Sequence, residues 1–163
     1  MTVDFGMRKA PEYRIATRTL AGAWPGDKAL RAEFERVQAW AEERGLRTGK
    51  WFFREFGDDK TPDSKWRWEM GVEIRGTKPV RGGKGIVMKT LPSSTVAAVT
   101  FDPDTVSPRV IYHGMVDWLR ERKKAGEYKE SGPYREVYLR DPWRSKRAWA
   151  NTQVQVPVKR LKA

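Results

Sequence analysis

The amino-acid sequence predicts an α+β fold: two tandem strand-helix-strand-strand repeats forming one curved antiparallel sheet, with two main helices on one face and a ligand groove on the other. Three observations carry this. Apolar residues recur at helical spacing once in each half, first at Leu30, Phe34, Val37 and Ala41, then at Ile111, Met115 and Trp118. Strand-like alternation flanks each helical stretch. The two halves also read alike: Trp40-Ala41-Glu42-Glu43-Arg44 echoes Trp118-Leu119-Arg120-Glu121-Arg122, and the stretch from Gly49 to Asp58 lies over that from Gly132 to Asp141. The repeats cover about residues 10–76 and 85–160 of a single domain spanning 1–163.

Taken in order, Tyr13 to Leu20 alternates and is rich in β-branched and aromatic residues, so it reads as a first strand ended by Gly22, Pro25 and Gly26. Asp27 is a fitting N-cap for the first helix, whose stripe has Trp40 at its border, and Gly45 closes it. Trp51 to Phe56 follows as a second strand. In the third, Trp66, Trp68, Met70, Val72 and Ile74 alternate with Arg67, Glu69, Gly71 and Glu73, which gives one apolar and one polar face. The segment Gly76–Gly85 reads as a flexible crossover. Its Arg81-Gly82-Gly83-Lys84-Gly85 has neither the spacing of a phosphate-binding loop nor the Ser or Thr after its Lys. Ile86–Leu91 and Thr95–Phe101 are strand segments around Pro92-Ser93-Ser94, and Ser107-Pro108 starts a second helix that ends near Gly126. The strand Gly132–Pro142 comes next, and Asn151–Val158 closes the sheet.

Composition narrows the chemistry. The absence of Cys and the single His argue against a Cys/His zinc site and against a Ser-His or Cys-His hydrolase, and no metal or cofactor is expected. His113 reads as an ordinary helix residue. The opening residues form no continuous apolar run and no window approaches a membrane span, so a cytoplasmic protein without membrane contact is expected. Eight Trp are several times ordinary usage for the length, and some of those rings are expected to do more than fill space. A net charge of +12 favours contact with polyanions, although clusters such as Arg144-Lys146-Arg147 also suit a solvated face.

The candidate site centres on the strand after the second helix. Alternation places Tyr134, Glu136 and Tyr138 on one side and Val137 and Leu139 on the other. If the aliphatic side packs on a core, a carboxylate between two phenols is left to line a pocket, where it suits a ligand with a positive or polarisable centre. The matching row of the first repeat is Trp51, Phe53 and Glu55, read as pocket rather than core because it avoids the side of Phe52 and Phe56. Trp66 and Trp68 share a side with Met70, Val72 and Ile74, which leaves both burial beneath the helices and a pocket role open. Trp143, behind Asp141-Pro142, either caps the groove or covers a loop. Trp40 and Trp118 read as core or core edge.

The order of these segments resembles the GyrI-like small-molecule-binding domain, the effector-binding half of many AraC-type and MerR-type multidrug regulators. The resemblance covers nearly the whole chain and rests on the tandem repeat, the Leu91-Pro92-Ser93-Ser94-Thr95-Val96-Ala97 turn, the Gly132-Pro133 to Asp141-Pro142 segment and Val154-Gln155-Val156-Pro157-Val158. It implies that Glu136 matches the carboxylate at the floor of the regulators' drug pocket. Many relatives carry a His-Gly-Pro-Tyr-like turn where this chain has Phe101-Asp102-Pro103-Asp104. The regulators fuse a DNA-binding helix-turn-helix to the domain; a stand-alone form is expected here.

Three functions follow as expectations. The first is a small-molecule, multidrug or xenobiotic binder, monomeric or weakly dimeric, with Glu136, Tyr134, Tyr138, Trp51, Phe53, Glu55, Trp66, Trp68 and Trp143 around an aromatic, hydrophobic or cationic ligand. The second, implied by the resemblance, is a hydrolase opening strained cyclopropane rings of alkylating compounds, with Glu136 and Tyr138 as catalytic groups. The third is a basic module contacting nucleic acid or gyrase, motivated by the charge and by Trp66-Arg67-Trp68 and Trp143-Arg144.

Overall fold

Strands pair antiparallel within each of two compact units, and a long helix packs against the strands of each, so the fold is α+β. The computed structural model describes residues 3–162. Residues 12–92 form one unit, and residues 3–11 with 93–162 form the other. In chain order the elements are β1 (Gly6–Ala10), β2 (Tyr13–Ala21), α1 (Asp27–Glu43), β3 (Thr48–Phe56), β4 (Arg67–Ile74), β5 (Val87–Leu91), β6 (Ser94–Phe101), α2 (Pro108–Lys124), β7 (Tyr128–Glu130), β8 (Arg135–Tyr138), α3 (Lys146–Ala150) and β9 (Thr152–Arg160).

In the unit of residues 12–92 the strands run β3-β4-β2-β5. Helix α1 buries Leu30, Phe34, Val37, Trp40 and Ala41, the stripe read from the sequence. Gly26, with φ 92°, precedes it in place of a side-chain cap. The register sets Trp51 against Val72, Phe53 against Met70 and Met70 against Arg18, so these residues share one side of the sheet. That side carries α1: Trp51 stacks on Phe34 at 4.8 Å and 11°, and its indole N–H donates to Gln38 Oε1 at 3.2 Å. The Arg18 guanidinium on β2 likewise pairs with the Glu33 carboxylate on α1.

The expected flexible crossover is instead fastened. Gly83 and Ile86 exchange backbone hydrogen bonds of 3.0 Å each across a tight turn whose two central residues, Lys84 and Gly85, have φ 55° and 79°. Positive φ at both positions is the geometry of a two-residue hairpin turn. A side chain on Gly82 would meet the Ile86 carbonyl oxygen at 2.3 Å, so only glycine fits beside this turn.

In the other unit the strands run β1-β6-β9, and β7 and β8 both pair with β9. Ala97, Val99 and Phe101 of β6 and Val154, Val156 and Val158 of β9 pack on Ile111, Met115 and Leu119 of α2. Phe5 stacks on Trp118 at 6.3 Å. The strand expected over Gly132–Pro142 is regular only from Arg135 to Tyr138. Pro157 explains the interruption. Ser131 N–H donates to the Pro157 carbonyl at 2.8 Å, so that edge of β9 faces the incoming chain, and Pro157 has no N–H to return the bond. Between Glu130↔Val158 and Arg135↔Gln155 the chain therefore carries two extra residues around Gly132-Pro133. Two extra residues preserve the alternation, so Glu136, opposite Val154, is again on the side that bears α2. Among the described residues no helix is long and apolar enough to cross a membrane.

Candidate functional site

In the unit of residues 12–92, β3 and β4 assemble an aromatic stack. The rings of Phe53 and Trp68 lie parallel at 6.2 Å and 6°, and Trp66 continues the stack on Trp68 at 5.0 Å and 11°. Trp24, from the turn between β2 and α1, stands across them, edge-on to Trp68 at 5.0 Å and to Phe53 at 6.2 Å. The polar edges of the two central rings are tied to the backbone, Trp68 Nε1 donating to the Gly22 carbonyl at 2.9 Å and Trp66 Nε1 to that of Thr61 at 3.1 Å. What remains available is π-surface. Trp24 is 51% exposed and Trp66 half-buried, whereas Phe53 and Trp68 are buried. Glu55 stands opposite Trp68 in the β3–β4 register and is half-buried. Stacked and edge-on rings beside a carboxylate suit a planar or lipophilic ligand, cationic ones included.

Of the residues expected in this row, the structure thus brings together Phe53, Glu55, Trp66 and Trp68, but on the side of the sheet that bears α1. Trp51, on the same side, is spent on packing against Phe34 and is 3% exposed. Trp24 was not singled out by alternation or periodicity because it belongs to no strand or helix. Its signal is an aromatic residue inside Gly22-Ala23-Trp24-Pro25-Gly26, where chain reversal leaves little reason to bury one.

In the other unit Tyr134, Glu136 and Tyr138 do form one row, on the side of α2 rather than opposite it. Tyr134 meets Tyr112 of α2 at 5.8 Å between ring centroids and donates its hydroxyl to Glu130 Oε1 at 3.0 Å. Glu136 is half-buried and Tyr138 is 8% exposed. The aliphatic side divides: Val137 is buried, and Leu139 is 42% exposed. Trp143 is exposed at the turn after β8, where its backbone N–H donates to Asp141 Oδ1 at 2.9 Å. His113 is exposed on α2.

In each unit the side of the strands away from the helix carries a polar network that alternation did not reveal. Glu69, placed by its pattern on a polar face, is 1% exposed and accepts from Arg54 Nε at 2.7 Å and Lys89 Nζ at 2.5 Å. In the other unit Arg135 Nε donates to Gln155 Oε1 at 2.8 Å, the Gln155 amide donates to Gln153, and Gln153 Nε2 donates to Thr100 Oγ1 at 3.0 Å. Among the described residues no three His, Cys, Asp or Glu side chains are grouped to hold a metal ion.

No curated protein matches the chain. Its fold is similar to that of the EcmrR C-terminal domain, with a TM-score of 0.75 at 16% identity over 99% of this chain and 100% of that one. It is also similar to a hydrolase from Listeria innocua, with a TM-score of 0.55 at 12% identity over 95% and 91% of the two chains. SAV2435 bound to tetraphenylphosphonium gives a TM-score of 0.53 at 13% identity over 96% and 94%. At these identities the likeness is one of fold. Residues 4–159 match the GyrI-like small molecule binding domain, and the chain therefore belongs to that family.

Proposed function

We propose that this GyrI-like protein binds planar, hydrophobic small molecules, cationic ones among them, through stacked aromatic rings and a carboxylate in register with them. The observation that carries the reading is the stack of Phe53, Trp68 and Trp66 with Trp24 standing open across it and Glu55 in register with Trp68. A ring laid on such a stack gains about 0.5–1.5 kcal/mol per aromatic pair beyond the area it buries, and a cation over tryptophan gains a comparable amount. In the other unit Glu136, a half-buried carboxylate between Tyr134 and Tyr138 on β8, is proposed as the centre of a separate cation-binding row. A fold neighbour is described with tetraphenylphosphonium, a lipophilic cation, which is the chemistry such carboxylates would favour.

The test is a titration read by tryptophan fluorescence, with tetraphenylphosphonium and a neutral polycyclic compound as probes. Quenching by both is expected. Trp24→Ala should weaken both probes, and Glu136→Gln should weaken the cation about tenfold, or about 1.4 kcal/mol, while sparing the neutral compound. Absence of quenching, or affinities unmoved in both variants, overturns the reading.

A second reading is hydrolysis of a strained ring, favoured by the buried Tyr138 two residues along the same strand row from Glu136. Glu136 would accept a proton from water as the water oxygen bonds to a ring carbon; the strained C–C bond would break with its electron pair passing into the rest of the substrate, which Tyr138 would orient or protonate. A water adduct of a cyclopropane-bearing alkylator, detected by mass spectrometry with wild type and absent with Glu136→Gln, supports it. Unchanged compound with wild type refutes it.

A further inference from the structure

Between Glu73 and Asp102 the sequence has no acidic residue, and within that stretch Arg75, Lys78, Arg81 and Lys84 recur at every third position. All four are exposed. They lie on the connection from β4 to β5, which is held by the sheet beneath it. Arg75 N–H donates to the Arg47 carbonyl at 2.9 Å, Arg14 donates to the carbonyls of Gly76 at 2.7 Å and Lys78 at 2.6 Å, and Arg18 donates to that of Lys84 at 3.2 Å. The fasteners are themselves cations, so positive charge lies under the ribbon as well as on it. Arg18 and Arg75 pair with Glu33 and Glu73. Lys78, Arg81 and Lys84 have no carboxylate within ion-pair distance among the described residues.

We infer that this ribbon is a contact surface for the phosphodiester backbone of nucleic acid, independent of base sequence and separate from the aromatic stack. Four exposed cations within ten residues, with no acidic residue among them, present a concentrated run of positive charge that closely spaced phosphates can neutralise several at a time. A bilayer contact would need apolar or aromatic residues to insert, whereas the residues between these cations are glycine, threonine and proline, with Val80 half-buried. A small anion would be drawn to the neighbouring cavity of about 440 Å³, lined by Arg14, Thr77, Pro79, Val80, Met88, Lys89 and Thr90. Both of its cations are already engaged, Arg14 with backbone carbonyls and Lys89 with Glu69. The outward cations are the ones left for a partner.

The experiment measures binding of a short fluorescein-labelled DNA duplex by anisotropy from about 50 to about 200 mM salt, the range over which phosphate contacts weaken steeply. The ribbon variant combines Lys78→Ser, Arg81→Ser and Lys84→Asn, the last because Asn tolerates the φ of 55° at that position. The control removes three charges elsewhere, Arg120→Ser, Lys123→Ser and Lys124→Ser on α2. Wild type and control should bind two unrelated duplex sequences alike. The ribbon variant should bind more than tenfold more weakly, and its slope of log affinity against log salt should be shallower by about 2–3. Equal losses in the two variants would show bulk charge rather than a ribbon and overturn the inference, as would no binding by wild type. Tighter binding to anionic phospholipid vesicles than to duplex would overturn it in favour of a membrane surface. Retained quenching by tetraphenylphosphonium in the ribbon variant shows that its fold and aromatic stack are intact.

Discussion

Glu69 shows how much one residue's meaning depends on strands far from it in sequence. Its carboxylate is out of water and is held by Arg54 on β3 and Lys89 on β5, with Phe52 and Thr17, both opposite Gly71, buried beside it in the register. A buried carboxylate is tolerable only while its partners stay in place, and removing one charge from such a group leaves the others uncompensated. Arg54, whose side chain is 14% exposed, cannot easily turn to solvent; Lys89, at 39%, can. Glu69→Gln should therefore destabilise by about 3 kcal/mol, most of it from stranding Arg54. Chemical denaturation of Glu69→Gln, with Lys89→Met as comparison, measures this. The Lys89 variant should cost clearly less, and equal costs would mean that the two cations share the role.

At the scale of elements, α1 and the strands it covers are fixed by large apolar contacts, and α3 by a cap. Phe34 is fully enclosed and stacks on Trp51, so Phe34→Ala should cost about 3–5 kcal/mol. Ser145 caps the five-residue α3 by accepting the Ala148 N–H at 3.1 Å, and Ser145→Ala should cost about 1 kcal/mol. Calorimetry on the two variants checks the ratio. Both helical stripes could be read from sequence because period alone defines them. The sides of β3 could not, since Trp51, Phe52 and Phe53 are apolar in succession and alternation gives such a run no inner face. Only the register, Phe53 against Met70, shows that Trp51 and Phe53 turn toward α1. The short β1 and β7 were missed for a related reason: five and three residues, each run with two adjacent charged side chains, carry no apolar period. β5 was read with the second half but pairs with β2, a choice that rests on partners and not on the strand's own residues. Glu136 and its tyrosines were legible as a row; that the row faces α2 rests on the pairing of Glu136 with Val154, a partner that the strand's own residues do not name.

For the molecule as a whole, the net charge of +12 should act against the folded state at low salt. Two like charges 20 Å apart in water repel by only about 0.2 kcal/mol, but a dozen uncompensated charges make dozens of such pairs, and unfolding moves them apart. Opposing this are exposed ion pairs such as Arg31–Glu35, Arg120–Asp117 and Lys124–Glu121, each worth a few tenths of a kcal/mol and weakened by the same salt. The long-range repulsion is the larger sum and the more readily screened, because its distances exceed a Debye length of about 8–10 Å. Raising sodium chloride from low to physiological concentration should therefore raise Tm by several degrees. The ribbon variant, with three cations removed and a net charge of +9, should be at least as stable as wild type in low salt and respond less to its addition. Such a result would mean that Lys78, Arg81 and Lys84 are kept at a cost to folding, as expected of charges held for a partner. A wild-type Tm that stays level or falls with salt would show that the cations are already compensated within the fold, leaving no excess field to draw a polyanion.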